Sequence, residues 1–233
     1  MMKRLSWMMI LLVLGAVTVQ AQTFEVIDVI GYMYESDNDP GVAGFPPSNP
    51  GDVLAGVGFV DNFGYTPVWD PTMFEYTWAV DGLVSTGEVD LGNGLVRIFY
   101  TGGTIDIIAQ NTSDIGYTMP FYGVNPPDAG ANATFTDGNI YLTGTFTQFV
   151  MTYDTTNHSG NYQGAIQFEL GPTFGAEEEL LYPDGMTIAG AVGSGADSTI
   201  PDGYDMEVDG HVYHDPTIPN EDRTMSQVKN LYR

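Results

Sequence analysis

From Phe24 onward, apolar and polar positions alternate in short runs, and turn residues separate the runs. Phe74, Tyr76, Trp78 and Val80 fall on one face of a period-two segment, with Glu75, Thr77, Ala79 and Asp81 on the other. In a second segment Tyr162, Ile166, Phe168 and Leu170 share a face opposite Gln163, Gln167 and Glu169. Phe24 to Tyr34 is apolar on both faces, as in a strand that is covered on both sides or paired near the centre of a sheet. The pattern predicts further strands near 53–60, 96–100, 105–109, 186–192 and 206–213, and the body shows no run with a helical period.

The stretch Asn139–Tyr153 changes parity part-way. Ile140, Leu142 and Phe146 share one parity, whereas Phe149, Met151 and Tyr153 share the other. A one-residue shift inverts every side chain that follows it. The switch therefore predicts a β-bulge at Thr147-Gln148, or a strand that leaves one sheet for another. Gly144 inside the same strand predicts a tight bend or a close neighbour. Long bent strands belong to sandwiches and barrels. The expected fold is one all-β domain, a β-sandwich or closed β-barrel of about eight to ten mostly antiparallel strands.

Thr101-Gly102-Gly103-Thr104 reads as a two-residue hairpin, because both central residues tolerate positive φ. That register pairs Tyr100 with Ile105 and sets Arg97 diagonal to Asp106, which predicts an ion pair. The other reading of Arg97 is an anchor for an anionic ligand.

Three spans differ in character. Residues 1–21 read as a secretory signal peptide: Lys3 and Arg4 form a basic start, Trp7 to Val19 an apolar run, and Val19-Gln20-Ala21 a cleavage sequence. The apolar run is short for a membrane span, and no span is expected in the mature chain. Residues 22–222 form the β-domain, with long loops at 37–50, 119–133 and 174–185. Residues 223–233 form a short basic tail: Met225, Val228 and Tyr232, with Leu231 beside them, make the apolar stripe of a short C-terminal helix. The tail either packs on the acidic body or is read by a sorting machinery.

Charge and cysteine narrow the function. All 30 acidic residues lie after residue 21, where only Arg97, Arg223, Lys229 and Arg233 carry positive charge. Such a surface repels phosphate backbones, so nucleic acid is not an expected partner. The chain has no cysteine, which excludes thiol catalysis and thiolate metal sites and leaves stability to a hydrophobic core.

The chemistry on offer is sparse. The three histidines, His158, His211 and His214, do not form a nucleophile–base pattern, and no Gly-x-Ser-x-Gly, His-Glu-x-x-His or phosphate-loop motif occurs. Asp205, Glu207 and Asp209 alternate with Met206 and Val208, so a strand would gather their carboxylates on one face, with Asp202 nearby. This is either a solvated acidic face or a calcium site. It is not an EF-hand, because Pro216 stands where that loop needs Glu. Asp37-Asn38-Asp39 is a second candidate for calcium. Trp69, Tyr117, Phe121 and Tyr122, with Tyr65, lie in turn-rich regions where aromatic faces would stack on sugar rings.

Tyr122–Asp154, Asn161–Gly171 and Pro201–Tyr213 carry a Tyr-Gly-x-x-Pro-Pro turn, a Phe-Thr-Asp-Gly hairpin start and a late Gly-Tyr-Asp. In these segments the chain resembles an uncharacterised group of exported, cysteine-free, β-rich bacterial proteins of unknown function. The resemblance implies export to the periplasm, the cell surface or the medium, and a β-rich fold, and nothing catalytic. The end "TMSQVKNLYR" also resembles short tails of other exported proteins, with Met225-Ser226 where those carry Trp-Gly. The expected function is non-enzymatic: a cell-envelope or extracellular-matrix component. A carbohydrate-binding module, with or without calcium, is the alternative, and a polysaccharide-active enzyme ranks below both.

Overall fold

The computed structural model describes residues 24–36, 45–64, 70–111, 135–170, 186–194, 200–201 and 203–214. Among them are nine strands: β1 (Phe24–Ser36), β2 (Val53–Phe63), β3 (Phe74–Gly92), β4 (Leu95–Thr101), β5 (Thr104–Asn111), β6 (Asn139–Asp154), β7 (Ser159–Leu170), β8 (Met186–Gly193) and β9 (Met206–His214). Every ladder is antiparallel.

The strands close into an eight-lane up-and-down β-barrel, because β4 and β5 share one lane. The first half of β3 pairs with β5 and its second half with β4. β6 does the same from the other side. The remaining lanes follow chain order, and β9 returns to β1 to shut the barrel. Closure removes the free edges that a sandwich would keep.

This arrangement corrects the hairpin expected at Thr101–Thr104. Gly102 and Gly103 do take positive φ, 71° and 84°, but β4 and β5 continue along one lane rather than folding back. A β4–β5 hairpin would strip ladder partners from half of β3 and half of β6. The tight turn lies earlier, at Asn93-Gly94 with φ of 58° and 81°, a type I′ geometry that joins β3 to β4. The expected Arg97–Asp106 pair is absent as a result: Arg97 stands opposite Val89 and Thr152, and Asp106 accepts from Thr143 Oγ1 at 2.6 Å.

The two glycines belong to a larger feature. The bulge expected in β6 is present: Phe146 pairs with Ile166 and Gln148 with Ala165, so Thr147 is the extra residue. At the same level β3 carries an extra residue at Asp81-Gly82, where Leu54 and Gly56 of β2 face Leu83 and Val80. Between these two lanes, Gly102-Gly103 makes the same adjustment. The inward side chains change parity together, from Val80 to Leu83, Ile105 to Tyr100, and Phe146 to Phe149. One dislocation line thus crosses three adjacent lanes, and the mismatch is taken up against β2 and β7.

Bulky apolar side chains fill the barrel. Trp78, Tyr141, Phe149, Tyr153 and Tyr162 are fully buried. Phe149 stacks on Tyr162 with ring centres 5.6 Å apart, while Phe63, Tyr76 and Tyr141 form edge contacts elsewhere in the core. Gly144 gives the close approach its sequence context predicts: a Cβ there would lie 2.6 Å from Ile166 Cγ2. The residual internal cavity of about 10 Å³, lined by Met33, Trp78 and Phe146 among others, is at the lower limit for a single water. Gln163, Gln167, Glu169, Glu207 and Asp209 are exposed on the outer wall.

Candidate functional site

The described interior is closely filled, and a candidate space for a ligand lies on the wall. A trough of about 430 Å³ crosses the outer faces of β4, β6, β7 and β8. Register builds it in rows. Arg97, Thr152 and Asn161 stand side by side on β4, β6 and β7; Phe99, Val150 and Gln163 form the next row; Gln148, Ala165 and Thr187 form the third on β6, β7 and β8. Rows lie ~6.6 Å apart and strands ~4.8 Å apart. A barrel wall is convex by default. Here Ala165 keeps the floor low between longer side chains, and Gln148 stands directly beside the Thr147 bulge, a local feature that bends and twists its strand.

The chemistry of the trough departs from that of the rest of the surface. None of its ten lining residues is acidic, in a chain with 30 carboxylates. Arg97, one of the ten, is the only Lys or Arg among the described residues. Its Nε–H donates to Thr152 Oγ1 at 3.3 Å, and no other hydrogen bond or ion pair engages its side chain among the described residues. The side-chain amides of Gln148, Asn161 and Gln163 make no hydrogen bonds among the described residues. Phe99 is 40% exposed. One guanidinium, three amides and an open phenyl ring therefore face solvent together, with hydrogen-bonding capacity to spare.

Two other groupings hold titratable side chains. At one end of the barrel, Glu35 accepts from Tyr100 OH at 2.5 Å and from Ser48 Oγ at 3.0 Å. Burial raises its carboxyl to about 7, against the lowering effect of those two bonds. On the seam between β1 and β9, His211 Nδ1 lies 3.5 Å from Glu25 Oε1 and 3.3 Å from Asp28 Oδ1. These three ligand atoms fall within 4.8 Å of one another, a spacing that suits either a proton on His211 or a divalent cation. The set unites the first strand with the last, so no local sequence pattern announces it.

The residues singled out by sequence fare differently. Trp69, Tyr117, Phe121 and Tyr122 lie outside the described residues, as do Asp202, the Asp37–Asp39 loop and the tail. Glu207 and Asp209 are exposed on the outer face of β9. Asp205 precedes the strand, and its Oδ2 accepts the Glu35 N–H at 2.7 Å. Burial raises the Asp205 carboxyl, and that bond opposes the shift. Arg97 alone marked the trough in advance. Phe99 was hidden in an apolar run, and the amides of β6 and β7 join the site only through cross-strand register.

The fold and site together define an eight-stranded up-and-down β-barrel with a filled core and a polar trough on its wall. No protein-family model matches the chain, and neither a curated protein nor a solved structure does.

Proposed function

We propose that this is an exported, non-enzymatic contact protein of the cell envelope or extracellular matrix, and that it binds glycan through the wall trough. The observation that carries this reading is the composition of the trough: the described chain's one cation, three unengaged amides and an exposed ring, with no carboxylate among them. Planar amides and a guanidinium match the paired hydroxyls of a sugar, and a phenyl face suits its C–H surface. A peptide that adds as a strand needs a sheet edge, which a closed barrel does not offer. Nucleic acid is held by many Lys or Arg contacts to phosphate, and Arg97 is the only such residue among the described ones.

Three further points support the reading. Glycoside hydrolysis uses two carboxyl groups flanking the scissile bond, and the trough holds none. The apolar interior and mostly polar outer wall, with scattered exposed residues such as Ile30, Val89 and Leu91, differ from the apolar band of a membrane-spanning barrel, which suits a protein that works in water. Export rests on the basic start and apolar run of residues 1–21.

A glycan array probed with the mature protein tests the proposal. Binding to at least one class of polysaccharide is expected, with a loss of tenfold or more in Phe99→Ala. An array without signal for a folded protein would overturn it.

A further inference from the structure

Resting on that reading, we infer that the glycan is acidic, and that Arg97 pairs with a carboxylate of the sugar chain. The argument is one of charge placed where the rest of the molecule excludes it. A wall built to bind neutral sugar needs amides and an aromatic face, and Gln148, Asn161, Gln163 and Phe99 supply them. A guanidinium adds a planar two-pronged donor matched to a carboxylate. Arg97 keeps that capacity open. Only its Nε–H is engaged, and no aspartate or glutamate neutralises it among the described residues, although carboxylates are common on this chain.

The neighbouring row shows how the acids nearby are kept occupied. Leu95, Asp154 and Ser159 stand side by side one row beyond Arg97, Thr152 and Asn161. Asp154 turns its oxygens to its own turn, accepting from Thr156 N at 2.8 Å, Asn157 N at 3.1 Å and Asn157 Nδ2 at 2.6 Å. Those bonds hold its carboxyl below the usual range. Repulsion from more distant carboxylates is screened within about 8 Å at physiological salt, whereas a contact pair at Arg97 is not.

The test compares acidic polysaccharides (alginate, polygalacturonate, hyaluronan and glucuronoxylan) with the same polymers after esterification or reduction of their carboxyl groups. At least one acidic form should bind, and neutralising its carboxyls should weaken binding at least tenfold. Arg97→Gln should abolish that preference, leaving the acidic and neutralised forms bound alike, with the melting temperature unchanged. Equal binding of both forms by the unaltered protein, or an acid preference that survives Arg97→Gln, would overturn the inference and leave glycan binding standing. Failure to bind any glycan, acidic or neutral, would remove both.

Discussion

The indole N–H of Trp78 donates to the carbonyl of Ile30 at 3.0 Å, across ground kept clear by Gly31 and Gly58. The bond satisfies the polar edge of a ring that is 1% exposed. A Cβ on Gly58 would lie 2.0 Å from the Ile30 carbonyl oxygen and 2.6 Å from Trp78 Nε1. Backbone atoms cannot swing aside as a flexible side chain does, so the cost should sit at or above the upper end of ordinary overpacking. Gly58→Ala should lose about 3 kcal/mol in urea denaturation. Val57→Ala, one residue away on the opposite face, should lose less than about 1 kcal/mol. Equal losses would mean that the ring does not depend on the bare backbone.

Tyr162 poses the reverse case. Its ring packs on Phe149, and its hydroxyl is buried with no hydrogen-bond partner among the described residues. Burial, with Asp209 and Asp28 nearby, raises its pKa and keeps the hydroxyl neutral. A buried donor without a partner carries a desolvation penalty that phenylalanine avoids. Tyr162→Phe should therefore leave stability unchanged or raise it by about 1 kcal/mol. Tyr100→Phe should lose about 1–2 kcal/mol, because Tyr100 donates to Glu35. Calorimetry of the two variants side by side decides the point, and a loss in Tyr162→Phe would reveal a partner for its hydroxyl.

How far the sequence could be read follows from which signals are local. The parity switch in β6 was legible because it falls inside one unbroken apolar run. The same switch in β3 was not, since Asp81-Gly82 resembles the end of a strand. Gly102-Gly103 satisfies the dihedral demands of a hairpin turn and of a lane break alike, and only the lengths of β3 and β6 choose between them. Arg97 was visible as a lone cation, but its companions Gln148 and Gln163 come from strands whose register no local pattern specifies. The seam that joins Glu25 and Asp28 to His211 depends on barrel closure, the longest-range contact in the fold.

Glu35 gives the barrel a pH dependence. Its carboxyl is raised from 4.5 to about 7, chiefly by burial, so the folded state holds the proton more tightly than the unfolded chain. The stabilisation is complete below pH 4.5 and is lost as pH rises through 7. Its size should be on the order of 2 kcal/mol, after allowing for partial exposure. Glu35→Gln keeps an oxygen to accept from Tyr100 and Ser48 but has no proton to lose. The variant should gain on the parent between pH 5 and pH 8 by about that amount in urea titrations. Parallel pH profiles would show that Glu35 does not titrate in this window.

The dislocation line makes the last prediction. Thr147 has no partner on β7, so deleting it alone would restore regular pairing there, with Phe146 and Gln148 opposite Ile166 and Ala165. On the other side of β6 the count now matches: Thr145 to Phe149 spans the same number of residues as Tyr100 to Thr104. The single deletion would therefore move the mismatch into the β4–β5 lane, where Phe146 N–H donates to the Gly103 carbonyl at 3.0 Å. Removing Gly102 as well would pass it on to β3. Removing Gly82 too would take this mismatch out of the sheet, because Leu54 and Gly56 would then face Leu83 and Val80 across one intervening residue on each strand. Deletion of Thr147 alone should cost about 3 kcal/mol or more, and the triple deletion should recover most of that loss, a strong departure from additivity. Thermal melts followed by tryptophan fluorescence would measure both. A triple variant no more stable than the single one would mean that the three extra residues are independent bulges rather than one feature.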